Sequence, residues 1–335
     1  LGDSGPYVGG TSVEWVEHEE VIVWDAPRTR TGLLSILRVL RECAPDVVYL
    51  NSFYSVFTRR VMLLRCLGLL RHVPVVVAPR GEFSPGARSI KRFKKSTYIA
   101  VVRLTGLFRG VAWMASAEHE EADITETFGR VSVTTAPEVP MQPEYREPMK
   151  KTPGSCKFVF VSRVSRIKNV EQALIALREV RGSVVFDVYG LQEDIDYIGE
   201  LHSLASTLPR NVTVTFKGPI SPSEVSGALS EGHFFLLPTK GENFGHAIAE
   251  ALAVGLPCVI SDQTLWSDIQ GAGAGWALSL DDPKTWRAAL QECVGMDQTS
   301  YNAAGDRVRA YYESKLRELA VQGDQGLFDR VTKAA

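Results

Sequence analysis

The stretch from Thr239 to Pro257 has the order of elements that could bind a phosphorylated ligand. It follows an apolar run, His233 to Leu237, that is typical of a buried parallel strand, and it continues into an alanine-rich segment with helical periodicity. The first amides of such a helix have no acceptor within the helix, and Gly241 and Gly245 would let a phosphate approach the backbone. Strand, glycine-bearing loop and helix together predict an anion site.

Two carboxylates accompany this site, Glu242 in the loop and Glu250 further along the helix. Because an ionised carboxylate only accepts hydrogen bonds, the hydroxyl groups of sugars are its natural partners. The pattern therefore suggests a ligand with phosphate in the middle and polyols on both sides, as in a nucleotide-sugar. An ordinary strand-loop-helix unit, with one glutamate as a cap residue and the other on a solvated face, is the alternative that the spacing leaves open.

Basic residues follow another predicted strand, Lys157 to Ser162. In open α/β sheets ligands bind outside the carboxyl ends of the strands, so we expect Arg163 and Lys168 to project toward the same cleft as Glu242. Two fixed cations there could neutralise a departing diphosphate. The alternative is a pair of solvated loop residues, and we expect Arg166 to lie on the surface.

Two further strand ends carry candidate residues. The turn Lys217-Gly218-Pro219-Ile220 could bring backbone groups to the edge of a nucleobase, although a plain turn is the alternative. In the first half of the chain, Arg80, Gly81 and Glu82 follow an apolar strand, where they could face an acceptor or the transferring phosphate. Next, the basic residues Lys91, Arg92, Lys94 and Lys95 lead into an apolar helix. Such a segment suits an anionic membrane surface or a lipid-diphosphate acceptor, or a helix with one core face and one solvated face.

The composition restricts the classes of protein to which this chain can belong. The chain has 335 residues, 45% of them hydrophobic, which is enough for two domains. Its net charge of −2 argues against nucleic acid as a partner. Five dispersed cysteines indicate reduced thiols in the cytoplasm, and no residues have the spacing of metal ligands. No apolar run approaches the roughly 20 residues that span a bilayer, and no signal peptide is visible.

Apolar strands alternate with helical segments along most of the chain, which predicts an α/β fold of two Rossmann-like, doubly wound parallel-sheet domains facing a cleft. We expect an N-terminal acceptor domain over residues 1–145, a proline-rich linker over 146–155 and a donor domain over 156–315. A C-terminal helix over 316–335 could cross back to the first domain. The early glycines between Gly5 and Gly10 are typical of a loop that follows a strand, so we expect that a first strand and some residues after the loop are missing.

Taken together, these residues resemble the large retaining glycosyltransferase family four, which has the two-domain fold called GT-B. The resemblance is carried by Glu242 and Glu250, separated by seven residues, by Arg163 with Lys168, and by the N-terminal double glycine Gly9 and Gly10. Many members have a histidine where this chain has Arg80. The Pro-Arg-Gly variant is similar to a subgroup associated with bacterial surface polysaccharides.

The resemblance implies a role for each matching position. Glu242 would bind hydroxyls of the donor sugar, Glu250 would hold the ribose, and Arg163 and Lys168 would neutralise the leaving diphosphate. The other donor-site positions would offer backbone groups to the donor or let it approach the backbone closely. They are Gly9, Gly10, Lys217, Gly218, Ile220, Asn243, Phe244 and Gly245.

The resemblance also implies an activity and its setting. The implied enzyme is a retaining, metal-independent transferase that moves a hexose from a nucleoside-diphosphate sugar to a glycan or lipid-linked acceptor. It would use no cofactor and work in the cytoplasm, at the inner face of the cell membrane if the basic segment binds there. A protein of the same fold that binds nucleotide-sugars without turnover is the alternative.

Overall fold

The computed structural model describes residues 14–18, 21–25, 32–70, 72–84, 88, 92–136 and 141–323. Among them, the residues as far as Ala136 form one compact unit, unit 1, and those from Met141 to Gln322 form a second, unit 2. Each unit contains a parallel sheet with helices between its strands, as the alternation in the sequence predicts. No helix in the described part of the chain is both long enough and apolar enough to cross a membrane.

Unit 1 is built on a four-stranded parallel sheet in the order β3-β4-β5-β6. Its strands are β3 (Val48–Asn51), β4 (Val75–Ala78), β5 (Ala112–Ala115) and β6 (Val133–Thr135). Its helices are α1 (Leu33–Cys43), α2 (Val56–Cys66), α3 (Arg92–Thr105) and α4 (Glu118–Phe128). Every residue of β4 is buried, and a strand covered on both faces is expected to read as an unbroken apolar run.

The core of unit 1 is aromatic. Phe53, which follows β3, is fully buried, and its ring lies 5.0 Å from Phe83 and 4.9 Å from Phe108 between ring centroids. Trp113 on β5 stacks on Phe128 at 4.6 Å. These contacts hold the loops after β3 and β4, where the candidate residues of this unit lie, against the end of α4.

A separate two-stranded sheet departs from the predicted parallel-sheet architecture. Its strand β2 (Val21–Asp25) is an apolar run like those of the parallel sheet, but it pairs antiparallel with β1 (Glu14–His18). Only two residues join these strands. A connection of that length allows an antiparallel hairpin, whereas parallel neighbours need a crossover of a dozen or more residues.

Unit 2 contains a six-stranded parallel sheet in the order β12-β11-β10-β7-β8-β9. Its strands are β7 (Ser155–Val161), β8 (Ser183–Tyr189), β9 (Val212–Gly218), β10 (Phe234–Leu237), β11 (Cys258–Ser261) and β12 (Gly275–Leu278). The chain first builds outward from β7 to β9 and then returns to add β10 on the other side. The switch point of the sheet therefore lies between β7 and β10, where open α/β sheets bind ligands.

Helices cover both faces of this sheet. They are α5 (Val170–Leu177), α6 (Ile195–Ser206), α7 (Pro222–Ser230), α8 (His246–Ala253), α9 (Pro283–Gly295) and α10 (Gln298–Gly323). The sequence analysis did not predict β12 or α9. The chain turns at residues 271–274, and Gly275 begins β12.

Residues 146–154, inside the predicted linker, have neither helix nor strand and pack on unit 2. Lys151 is 3% exposed, and its ammonium nitrogen lies within hydrogen-bonding distance, 2.8 to 3.2 Å, of four backbone carbonyl oxygens, those of Thr152, Ser155, Val294 and Met296. The side chain thus ties this segment to the start of β7 and the end of α9. The domain limits given by the sequence remain a prediction.

Candidate active site

Two loops leave the carboxyl edge of the unit 2 sheet at its switch point. One follows β7 and carries Arg163 and Lys168, and the other follows β10 and carries Glu242. The loops are joined through one carbonyl, because the Lys240 amide and the Thr239 hydroxyl donate to the oxygen of Ile167 at 2.7 and 3.2 Å. The fold therefore holds the predicted cations and the predicted carboxylate on one connected surface.

Lys168 and Glu242 form an ion pair at the centre of this surface. The Lys168 ammonium donates to both carboxylate oxygens of Glu242, at 2.5 and 2.7 Å. The two side chains are only 14% and 9% exposed. A carboxylate has about four lone-pair sites and an ammonium group has three protons, so each partner retains capacity for a ligand. The structure thus brings together two of the three predicted catalytic residues.

Arg163, the third of them, lies just after β7 and is exposed. Among the described residues it makes no hydrogen bond or ion pair. Arg166 is bonded instead to Glu200 at 2.7 Å, on the surface, and its guanidinium lies over the Tyr197 ring at 4.9 Å. The expectation that Arg166 is a surface residue is confirmed.

Gly245 is the N-cap residue directly before helix α8 and has the left-handed conformation, with φ of 84°. A side chain at this position would be strained, and its Cβ would lie 3.2 Å from both Ile248 and Trp266. The amides of Phe244 and Gly245 make no hydrogen bond with the described residues, whereas the Phe244 carbonyl accepts from the Trp266 indole at 2.6 Å. The Trp266 side chain therefore fixes the position of the turn through the Phe244 carbonyl. The Phe244 and Gly245 amides remain available for a ligand at the helix N-terminus, as an anion site requires. Asn243 precedes this turn.

Glu250 lies one turn into α8 and is half-buried. Burial raises the pKa of this carboxyl group above its usual range, and the neighbouring His246 opposes the shift. A partly desolvated carboxylate gains from hydroxyl donors, because they replace the water it has lost. This environment is compatible with the predicted role of Glu250 in binding a ribose.

The predicted base turn lies at the carboxyl end of β9. Lys217 is exposed there, with its ammonium 3.7 Å from the Asp187 carboxylate, and Ile220 is half-buried. The Gly218 carbonyl accepts from the Gly190 amide at 2.8 Å. The turn is thus fixed to the end of β8 and stands on the same edge of the sheet as the Glu242 loop.

Gly190 is a site-forming residue that the sequence analysis missed. It follows β8 with φ of 145°, and a Cβ there would collide with the Ser162 carbonyl, directly before Arg163. Only glycine lets the ends of β7 and β8 approach so closely. Thr239 and Ser261 were also missed. Both are fully buried, and the Ser261 hydroxyl donates to the Thr239 carbonyl at 2.5 Å, which fixes the start of the Glu242 loop.

In unit 1, Arg80 and Gly81 follow β4 and both have positive φ, 57° and 76°. The Arg80 guanidinium donates to the Asn51 side chain at 3.1 Å and to the Tyr49 hydroxyl at 3.0 Å. The Gly81 amide donates at 2.6 Å to Glu120, a buried residue of α4 that the sequence analysis did not single out. These bonds fix the conformation of the loop on its own sheet.

Glu82 turns toward the loop that follows β3. Its carboxylate accepts from the Ser52 hydroxyl at 2.6 Å and from the amides of Phe53 and Tyr54 at 2.5 and 3.3 Å. Burial raises the pKa of Glu82, although these three donors lower it. The carboxylate thus holds two loops together in this structure, while a contact of Arg80 to Glu82 with an acceptor stays a prediction.

Some predicted positions lie outside the described residues, namely Gly9, Gly10 and Lys91. Arg92 and Lys94 are exposed at the start of α3, and Lys95 is half-buried there. Within the described ranges, no three His, Cys, Asp or Glu side chains are grouped closely enough to hold a metal ion.

Part of the chain is similar in sequence to known glycosyltransferases. Residues 141–305, within unit 2, match the family model of the glycosyl transferases group 1. The O-antigen chain mannosyltransferase RfbU of Salmonella typhimurium is 28% identical over 96 residues, which is 29% of this chain and 27% of that protein. The chain thus aligns with about a quarter of the length of this curated relative.

Solved structures resemble the chain over nearly its whole length. The sucrose-phosphate synthase of Thermosynechococcus elongatus has a TM-score of 0.71 at 14% identity, over 97% of this chain and 87% of that one. HepE of Anabaena, crystallised with UDP and glucose, has a TM-score of 0.67 at 15% identity, over 90% and 81%. At such identities the likeness shows the fold. The chain therefore has the GT-B fold, and its residues 141–305 are similar to the glycosyl transferases group 1.

Proposed function

We propose that this protein is a retaining, metal-independent glycosyltransferase. It moves a hexose from a nucleoside-diphosphate sugar to a glycan or lipid-linked acceptor during assembly of surface polysaccharide or lipopolysaccharide, on the cytoplasmic side of the membrane. The observation that carries the proposal is the Lys168–Glu242 pair, at the switch point of the sheet. The same loop carries the Phe244 and Gly245 amides, which make no hydrogen bond with the described residues. The match of residues 141–305 to group 1 glycosyl transferases supports it.

The charges of this site suit the departure of a diphosphate. Negative charge grows on the leaving phosphate as its bond to the anomeric carbon breaks, and fixed cations and amides stabilise it without reorganisation. Lys168 and the exposed Arg163 supply the cations, and the amides of Phe244 and Gly245 supply neutral donors. Glu242, already oriented by Lys168, accepts hydrogen bonds from the sugar hydroxyls, and Glu250 accepts those of the ribose.

Retention follows from the proposed geometry of the transfer. The leaving phosphate oxygen takes the proton of the acceptor hydroxyl on the face that the acceptor attacks, so the new bond forms where the old one broke. Positioning and electrostatic stabilisation then supply most of the rate. No resident cofactor or metal is required, so we expect activity to persist in EDTA.

The relatives indicate which substrates to examine first. HepE was crystallised with UDP and glucose, and RfbU is named for mannose transfer to the O-antigen chain. We therefore propose UDP-hexoses and GDP-hexoses as the first donors and lipid-linked glycans as the first acceptors.

The test combines binding with turnover. A thermal-shift panel of UDP, GDP, ADP and their common sugars identifies the donor, and release of the nucleoside diphosphate with acceptor present measures transfer. We expect Glu242→Gln to lower the transfer rate by about 10²- to 10³-fold. The matched control is Glu200→Gln, which removes a carboxylate from the exposed pair with Arg166 and should leave transfer unchanged.

Two outcomes would contradict the proposal. Donor binding without any release of nucleoside diphosphate would favour a nucleotide-sugar-binding protein that lacks turnover. Equal transfer by wild type and Glu242→Gln would remove Glu242 from the reaction.

A further inference from the structure

Basic residues are concentrated in one part of unit 1. Between Val47 and Ala117 the sequence has twelve Lys and Arg residues and a single acidic residue, Glu82, in a chain whose net charge is −2. Glu82 is bonded to the neighbouring loop, so its carboxylate offsets little of this charge at the surface. Such local asymmetry indicates an anionic partner.

Helix α3, in the middle of this stretch, exposes an apolar stripe. Phe93 is 85% exposed, Val101 is 52% exposed and Leu104 is 89% exposed. With 3.6 residues per turn, positions 93, 101 and 104 lie on the same side of the helix. The opposite side carries Ile99 and Val102, which are buried in the core of unit 1. Packing of the domain therefore accounts for one face of α3 and leaves a second apolar face in water.

Basic side chains border this stripe on both sides. Around the helix, Arg92 and Arg103 flank it on one side and Lys94 on the other, and all three are exposed. Helix α3 contains no acidic residue. An apolar stripe with cations on both sides is the pattern with which helices lie in the interface of an anionic bilayer.

The inner side of α3 is connected to the candidate acceptor residues. The Lys95 ammonium lies 5.1 Å from the centre of the Tyr54 ring, and the Tyr54 amide donates to Glu82 at 3.3 Å. A surface that binds the outer face of α3 would thus lie close to the loop of Arg80, Gly81 and Glu82.

We propose that the outer face of α3 docks on an anionic lipid bilayer, with Phe93, Val101 and Leu104 among the acyl chains and Arg92, Lys94 and Arg103 at the headgroups. A nucleic acid would use the cations but would leave Phe93 and Leu104 in water. A second copy of the same face would bring like charges together. Docking needs neither donor nor acceptor, so it can fail while the proposed transfer reaction stands, and the reverse also holds.

The experiment is vesicle flotation of the full chain. Vesicles of phosphatidylcholine alone are compared with vesicles of phosphatidylcholine and phosphatidylglycerol in equal parts, at low and high salt. We expect binding to the anionic vesicles only, weakened by salt. The triple variant Arg92→Gln/Lys94→Gln/Arg103→Gln should lower the partition coefficient by about 100-fold, since each charge near an anionic surface contributes about fivefold. Phe93→Ser/Leu104→Ser should lower it by at least about tenfold.

Matched controls lie on unit 2. Ile195 is 83% exposed, and Arg181, Arg210 and Lys284 are exposed basic residues, so Ile195→Ser and the triple change to Gln repeat the chemistry elsewhere. Both the Ile195→Ser variant and the triple variant Arg181→Gln/Arg210→Gln/Lys284→Gln should bind vesicles like wild type. Thermal melts confirm that every variant is folded, which is expected because all substituted side chains are exposed.

Three outcomes would overturn the proposal: no flotation of folded wild type, equal loss in the unit 2 controls, or binding that Phe93→Ser/Leu104→Ser leaves unchanged. If light scattering showed a dimer that Phe93→Ser/Leu104→Ser dissolves, the face would be an interface between copies. Binding to a DNA duplex that depends on the cations but not on Phe93 would assign the face to nucleic acid instead.

Discussion

Lys168 and Glu242 are each other's ion-pair partner in a largely buried position. A buried carboxylate that loses its cation retains its desolvation cost without the compensating attraction. The pair thus stabilises the loops that follow β7 and β10, and under the proposed function it would couple donor binding to that stability.

We predict that Lys168→Met lowers the free energy of unfolding by about 2 to 4 kcal/mol, measured by urea denaturation. Arg166→Met is the control, because it breaks the pair with Glu200 in which both side chains are more than half exposed. Solvent screens such an exposed pair, so it contributes little to stability. If both variants lost the same free energy of unfolding, burial of the Lys168–Glu242 pair would add nothing to its contribution to stability.

His233 provides a second test at single-residue scale. Its Nδ1 accepts from the Lys157 amide at 2.9 Å, so the proton lies on Nε2, which donates to the Lys150 carbonyl at 3.1 Å. Burial lowers the pKa of His233 below its ordinary value of 6.5, and the nearby Lys151 and Lys157 add to this effect. Protonation would place a hydrogen on Nδ1 against the Lys157 amide.

The unfolded chain therefore binds more protons than the folded one just below pH 6.5, and stability should fall as pH falls through this window. We predict that His233→Gln, which keeps one donor and one acceptor, loses this part of the pH dependence between about pH 5 and 7. Urea denaturation at several pH values measures it. An unchanged pH profile in His233→Gln would assign the dependence to other groups.

The sequence predicted residues whose chemistry is local. Glu242, Glu250 and Gly245 could be recognised because strand, loop and helix succeed one another along the chain. The orientation of the Glu82 side chain toward the loop after β3 could not be predicted, because its hydrogen-bond donors lie about 30 positions earlier in the sequence. The bond between Gly81 and Glu120 could not be predicted for the same reason, because it joins the loop after β4 to the helix after β5, 39 positions later in the sequence.

Most helices and strands could also be predicted, since apolar runs and helical periodicity mark them. The antiparallel pairing of β1 with β2 was missed because the alternation of the rest of the chain suggested one parallel sheet. β12 was missed because it begins at a glycine within a glycine-rich run, where the sequence indicates a turn.

At the scale of elements, Gly190 allows the carboxyl ends of β7 and β8 to lie close together. We predict that Gly190→Ala costs at least about 3 kcal/mol of stability and weakens donor binding, because Cβ would displace the Ser162 carbonyl next to Arg163. Urea denaturation and donor titration measure the two effects.

Gly227→Ala is the matched control for Gly190→Ala. Gly227 lies inside α7, and a Cβ there meets nothing within 4 Å. This change should raise stability by about 0.5 to 1 kcal/mol through helix propensity. A Gly190→Ala variant as stable as wild type would show that the ends of β7 and β8 can separate without cost.

The whole molecule divides into two units that each bury a core. The large core of unit 2 contains residues from Cys156 to Tyr312 only, and all six strands of its sheet lie in the same unit. The match to group 1 glycosyl transferases, residues 141–305, also lies inside it. Neither the sheet nor the core of unit 2 therefore needs side chains of unit 1.

We predict that residues 141–322 alone fold cooperatively and bind the nucleoside diphosphate that stabilises the full chain. At a ligand concentration 100 times the dissociation constant, binding should add about 2.7 kcal/mol to the free energy of unfolding, and Glu250→Ala should remove most of this gain. Transfer to an acceptor should be absent in this fragment, because the proposed acceptor loop of Arg80 to Glu82 belongs to unit 1. A fragment that folds but binds no nucleotide would mean that donor binding depends on unit 1, and the assignment of the donor site to unit 2 alone would then be wrong.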